Sequence, residues 1–99
     1  MKYYANVISK DIYNKLVDAG MPQLLETYAQ VFDWIIGQGF FISVAHAKVE
    51  GRDVCWYPIV NGKNPQAIDG RDWEHSALLA IEKALELIKE KQNDTITRT

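Results

Sequence analysis

The sequence predicts an α+β fold in which three helices pack against a small antiparallel sheet. Three stretches carry apolar residues at helical spacing, and two apolar runs flank a tight turn at Gly51 in the manner of a β-hairpin. A chain of 99 residues has room for one domain. We predict helices at about residues 9–19, 22–36 and 72–92, and hairpin strands at 40–49 and 54–60.

The first two helices are indicated by their ends and by their apolar faces. Ser9 is a favourable N-cap, Gly20 can end the first helix in a left-handed conformation, and Pro22 cannot continue it. The apolar stripe of the second helix comprises Leu24, Leu25, Tyr28, Val31, Phe32, Ile35 and Ile36. Trp34 lies off this stripe, at the border of the polar face.

The last helix is predicted to begin after Asp72, because an aspartate at the N-cap accepts hydrogen bonds from the first turn. Its apolar stripe comprises Trp73, Ala77, Leu78, Ala80, Ile81, Ala84, Leu85 and Ile88. The periodicity ends near Gln92, so we predict a single domain over 1–92 and a mobile polar tail over 93–99. Residues 2–8 alternate weakly and are a candidate third strand.

The hairpin is predicted to turn about Gly51 and Arg52, which places Ile42 opposite Asn61 and His46 opposite Tyr57. In this register one face carries Phe41, Val49, Trp56 and Val60, and the other carries Ile42, Val44, Tyr57 and Ile59. Both faces are therefore apolar. One layer of helices covers only one of them, so the other face is expected to meet a partner.

Composition and charge exclude several classes of protein. Hydrophobic residues make up 47% of the chain and charged residues 24%, which is ordinary for a globular protein and excludes a collagen-like or disordered chain. No apolar run reaches the roughly 20 residues of a membrane helix, and residues 1–6 lack the apolar core of a signal peptide. The single Cys55 suits a reducing compartment, so we expect a cytoplasmic protein with no membrane partner.

His46 and Cys55 are the residues that could support nucleophilic chemistry. In the predicted register their side chains are diagonal neighbours on one face of the hairpin. A catalytic thiol also needs an orienting third group and an oxyanion hole, and no motif supplies either. The two residues are better explained as a half-buried strand histidine and a small apolar cysteine.

Metal chemistry has equally weak support in the sequence. Asp69, Asp72 and Glu74 cluster near a loop but lack the repeating ligand pattern of a calcium loop. Leu79 stands four residues after His75, where a helical metal site would need a second ligand. We therefore predict no catalytic residue, no metal site and no cofactor.

Aromatic residues give the clearest indication of a contact surface, because they are enriched where proteins bind one another. Three tryptophans are many for a chain of this length, and Trp34 and Trp56 are difficult to place in one core. The predicted interface comprises Trp34, Phe41, Val49, Trp56 and Val60. We expect it to bind a second copy of the chain or another protein.

The chain resembles small uncharacterised proteins that are common in phages and prophages. The resemblance rests on Ala19-Gly20, on residues 28–34, on Ile42-Ser43-Val44 with Trp56-Tyr57, and on residues 72–74 followed by 80–85. It implies a genomic context and no particular mechanism. Residues 40–89 are also similar to HicB-type antitoxins, in which a hairpin leads into a helix of comparable pattern.

The sequence therefore predicts a non-enzymatic binding or adaptor protein that self-associates and originates from a phage or prophage. The alternative is a HicB-like antitoxin or another nucleic-acid-linked regulator. Its nucleic-acid site would be a basic patch of Lys48, Arg52, Lys63 and Arg71 beside Trp56 and Phe41. The formal net charge of -2 disfavours this alternative, because phosphate contacts require a basic excess.

Overall fold

A computed structural model describes residues 6–48, 51, 54–64 and 72–98. The elements follow in the order α1 (Lys10–Asp18), α2 (Tyr28–Gly37), β1 (Ile42–Lys48), β2 (Val54–Val60) and α3 (Trp73–Arg98). β1 and β2 pair antiparallel and form, within the described residues, a two-stranded sheet. The predicted α+β class is confirmed.

The bounds of α1 agree closely with those predicted. Ser9 precedes the helix in extended backbone, and Ala19 ends it. Gly20 follows with a φ of 108°, a left-handed value that costs a residue without a Cβ little.

α2 begins at Tyr28 and not at Pro22, because a capping box fixes its start. The backbone N–H of Gln30 donates to the Thr27 hydroxyl at 3.3 Å, and the Thr27 N–H donates to Oε1 of Gln30 at 3.2 Å. Leu24, which the prediction placed on the buried stripe of this helix, lies in the preceding loop and is 86% exposed.

The segment before α1 pairs with the segment before α2. The Ile8 N–H donates to the carbonyl of Glu26, and Val7 forms an isolated antiparallel bridge with Thr27. Residues 6–8 therefore do not extend the hairpin as a third strand. The remainder of that predicted strand, residues 2–5, lies outside the described residues.

The register of the hairpin differs by one residue from the predicted one. Ile42 lies opposite Val60 and His46 lies opposite Trp56, so the strands are symmetric about Gly51 alone. Because side chains alternate between the faces of a strand, a shift of one residue moves every β2 side chain to the other face relative to β1.

α3 crosses the inner face of the sheet and completes the core. Trp73 is 2% exposed, and its ring meets that of Tyr28 edge-on at 5.1 Å and stacks on that of Phe32 at 6.1 Å. The predicted contacts of α3 are confirmed, since one buried cluster joins Ile81, Leu85 and Ile88 of this helix to Tyr28, Phe32, Ile35, Ile42 and Val60.

α3 continues to Arg98, past its predicted end near Gln92, so residues 93–98 of the predicted tail are helical. Where it passes the end of α2, the Lys91 ammonium donates to the carbonyl of Gln38 at 3.2 Å and lies 5.8 Å from the centre of the Phe40 ring. The next residue, Gln92, donates from Nε2 to the carbonyl of Ala19 at 2.9 Å. Two consecutive residues of α3 thus hold the C-terminal carbonyls of α2 and α1.

Candidate functional site

The two faces of the hairpin have different surroundings. Ile42 and Val60 belong to the core, and Val44 and Trp56 pack against it, so these residues define the inner face. By alternation, the opposite side carries Phe41, Ser43, Ala45, Cys55, Tyr57 and Ile59, which we call the outer face. Phe41, Ser43 and Ala45 are exposed, Tyr57 and Ile59 are half-buried and Cys55 is buried.

Phe41 is the most exposed large apolar residue of the outer face, at 72%. Its backbone is nevertheless held firmly, because its N–H donates to Oδ1 of Asn61 at 2.9 Å and its carbonyl accepts the Asn61 N–H at 2.7 Å. Asn61 and Gly62 have φ values of 54° and 78°, which are those of a two-residue type I′ turn. The turn therefore fixes the base of an aromatic side chain that projects into solvent.

An open pocket of about 420 Å³ lies beside Phe41. Ile36, which is 45% exposed at the end of α2, forms one wall, and Ile59 of β2 forms another. The remaining lining residues are Phe41, Ile42, Ser43, Asn61 and Gly62. This pocket, together with the exposed Phe41 ring, is the strongest candidate for a contact surface among the described residues.

The structure does not bring the predicted interface residues together. Val60 is 4% exposed and lies in the core, and Trp56 is half-buried on the inner face. The register explains both placements, since the shift of one residue turns β2 over. Trp34 is half-buried and packs against the core, and Val49 lies outside the described residues. Among the described members of the predicted set, Phe41 is the one that lies on the outer face.

Ile36 and Ile59 belong to the surface but were assigned elsewhere from the sequence. Ile36 follows the stripe of α2 by periodicity, yet it stands one residue before the end of that helix, where the core no longer covers it. Ile59 was assigned to the face of Ile42 by the incorrect register. The hairpin loop, and not the apolar pattern, decides the face of Ile59, because both faces of β2 carry apolar residues.

His46 and Cys55 lie on opposite faces of the hairpin, so the predicted proximity of their side chains is wrong. His46 is exposed, and its ring centre is 5.2 Å from that of Trp56. Cys55 faces the other way and lies opposite Ala47 in the register. The geometry separates the thiol from the imidazole that would have to activate it.

We expect Cys55→Ala to leave self-association unchanged and to lower the free energy of unfolding by about 1 kcal/mol, because the thiol is a small buried group. The measurement is mass in solution together with thermal unfolding. Loss of self-association at an unchanged melting temperature would contradict this expectation and would give the thiol a direct role in binding.

The acidic residues at the start of α3 have structural roles. Oδ1 of Asp72 accepts the backbone N–H of His75 at 2.8 Å, as predicted for an N-cap. Glu74, in the first turn of the helix, lies close to the Tyr28 hydroxyl. Burial, followed by the negative charges of Glu74 and Asp72, raises the pKa of Tyr28 to about 12, so this hydroxyl stays a donor at neutral pH.

Within the described residues no three histidine, cysteine, aspartate or glutamate side chains are grouped so that they could hold a metal ion. Asp69, the third acid of the predicted cluster, lies outside those residues. In the same part of the chain, none of the helices has the length and apolarity needed to cross a bilayer. Of the predicted basic patch, Lys63 is exposed next to the Asn61-Gly62 turn, and Arg52 and Arg71 lie outside the described residues.

No protein-family model, curated protein or solved structure was found to match this chain. The resemblance to phage proteins and to HicB-type antitoxins therefore stays a prediction from sequence.

Proposed function

We propose that this chain is a non-enzymatic binding or adaptor protein that self-associates through the outer face of its hairpin. The observation that carries the proposal is the Phe41 ring, which projects into solvent beside the apolar pocket. The cytoplasmic location and the phage or prophage origin belong to the same proposal and rest on the sequence.

Several physical features support a contact surface at this place. Exposed aromatic side chains are a recurring feature of protein interfaces, where they act as anchors. Asn61 fixes the backbone of Phe41 on both sides, which lowers the entropy lost when the ring is buried by a partner. Ile36 and Ile59 extend the apolar area beside the ring.

We expect Phe41→Lys to weaken self-association by at least tenfold, because the change places a charge where the proposed partner buries a ring. The measurement is mass in solution by light scattering over a range of protein concentrations. Thermal unfolding should change little, since the Phe41 side chain contributes little to the core.

Leu24→Lys is the matched control, because Leu24 is an exposed apolar residue in the loop before α2. It should self-associate like the parent. A parent that is monomeric at all concentrations would contradict the proposal, and so would equal weakening by Phe41→Lys and Leu24→Lys.

A further inference from the structure

The two outer edges of the hairpin differ, and the register shows how. In an antiparallel pair, residues that exchange both backbone hydrogen bonds alternate with residues whose N–H and C=O groups point outward. The Asn61 N–H donates to the Phe41 carbonyl, which puts positions 41 and 61 in phase with the hydrogen-bonded pairs, while the Phe41 N–H donates to the side chain of Asn61. Counting along the strands from this pair, the outward-pointing groups belong to Ile42, Val44, His46 and Lys48 on β1, and to Val54, Trp56, Pro58 and Val60 on β2.

The outer edge of β2 is closed at two successive outward positions. The Val60 N–H donates to the carbonyl of Lys63 at 2.9 Å, and the Lys63 N–H donates back at 3.0 Å, so the chain after the turn occupies this edge. The next outward position is Pro58, which has no N–H to offer. An added strand would therefore find neither position available.

The outer edge of β1 carries none of these protections. Among the described residues no strand pairs with it, and residues 42–47 contain no proline, glycine or formal charge at neutral pH. Of the outward-pointing residues, His46 is exposed and Val44 is half-buried, so the middle of this edge is open to solvent, whereas Ile42 is only 6% exposed. A sheet of two strands gains stability from a third strand, which is a further reason to expect pairing here.

We infer that β1 pairs antiparallel with β1 of a second copy of this chain, about a twofold axis at Ala45, to form a four-stranded sheet. The inference rests on the proposed function and names its partner and its geometry. The axis places Val44 opposite His46 of the second copy, and Ile42 opposite Lys48. Val44 and His46 are outward-pointing residues, so the two central pairs form about four inter-strand hydrogen bonds.

The charge pattern of β1 suits antiparallel pairing of two copies better than parallel pairing. The only formally charged residue of β1 is Lys48 at its end, and the twofold axis sets the two lysines at opposite ends of the ladder. Ser43 and Ala45 are small, so close approach on the outer face meets little steric resistance. Neighbouring strands are about 4.8 Å apart, which leaves the Phe41 ring within reach of the added strand. An isologous contact of this kind also closes and leads to a dimer instead of a fibre.

A cysteine at the axis gives a direct test. Residue 45 would lie opposite residue 45 of the second copy. The two would form a non-hydrogen-bonded pair with a Cα–Cα distance of about 4.5 Å, which a disulfide can span. In a Cys55→Ala background, Ala45→Cys should form a covalent dimer in oxidised glutathione. Ser43→Cys is the control, because residue 43 would lie about 13 Å from residue 43 of the second copy and should form no disulfide. Equal crosslinking of the two variants, or none for Ala45→Cys, would overturn the inference.

A second pair of variants tests the backbone itself. His46→Pro removes an outward N–H, whereas His46→Ala removes the same ring contact with Trp56 but keeps the N–H. We expect His46→Pro to weaken self-association at least tenfold more than His46→Ala. Equal dimerisation of the two variants would contradict edge pairing.

The variants also separate this inference from the proposed function. A parent dimer that Phe41→Lys dissociates, with no crosslink at residue 45, would retain self-association through the outer face and reject edge pairing. A crosslinked dimer that Phe41→Lys leaves intact would retain edge pairing and reject the outer face as the contact. A monomeric parent would reject both.

Discussion

Ile81→Ala is expected to lower the free energy of unfolding by about 2–5 kcal/mol, a large share of the stability of a domain this small. Ile81 is fully buried in the middle of α3, in the cluster that joins this helix to α2 and to the inner face of the hairpin. Removing three methyl or methylene carbons there leaves a cavity that the backbone of a long helix can only partly close. Leu85→Ala, one turn further along the same face, should have an effect of the same size.

Chemical unfolding followed by circular dichroism measures the effect. Glu82→Ala is the control, because Glu82 is exposed on the neighbouring position of the helix and should change stability by less than about 0.5 kcal/mol. If Ile81→Ala and Leu85→Ala unfolded at the denaturant concentration of the parent, α3 could not be the element that closes the core.

Trp73→Ala is the second change with a large expected effect, about 3–5 kcal/mol. The indole is almost completely buried at the first position of α3 and contacts the rings of Tyr28 and Phe32 at the start of α2. Its loss removes a large apolar area and two ring contacts at once. It also opens the environment of the Tyr28 hydroxyl, whose raised pKa depends first on burial.

The raised pKa of Tyr28 provides a second measurement besides unfolding. In the parent, Tyr28 should titrate near pH 12, and its contribution to stability should be complete below pH 10 and lost as the pH rises through 12. The milder change Trp73→Phe, which keeps an aromatic ring and folds more readily, should lower the pKa of Tyr28 and cost less stability. An unchanged Tyr28 titration in Trp73→Phe would show that burial by this ring is not the cause of the shift.

The helices were predictable from the sequence to the extent that periodicity and end signals agreed. α1 carries both signals, with Ser9 before it and Gly20 after it, and its bounds were predicted closely. α2 shows the opposite case, since the stripe continued back to Leu24 while the capping box at Thr27 set the true start. A capping box satisfies backbone groups that an apolar residue in a loop cannot, so the local hydrogen bonds prevailed over the pattern.

The candidate surface was predicted only in part, because the hairpin register depended on a loop of ambiguous length. Phe41 was identified as an interface residue, and it is exposed. Trp56 and Val60 were placed beside it, although they turn towards α3. Apolar residues occupy both faces of β2, so the pattern could not reveal a shift of one residue. Contacts distant in sequence, such as those of Lys91 and Gln92, leave no periodic signal at all.

Those two contacts have a consequence for how the chain folds. Gln92 donates a hydrogen bond to a carbonyl 73 positions away in the sequence, and Lys91 donates one to a carbonyl 53 positions away. The caps of α1 and α2 therefore have a high contact order. Neither helix acquires these hydrogen bonds by local structure formation, and α1 and α2 are too short to be stable alone in water. Loop closure must therefore precede the completion of both helices, which couples the three helices into one cooperative folding unit.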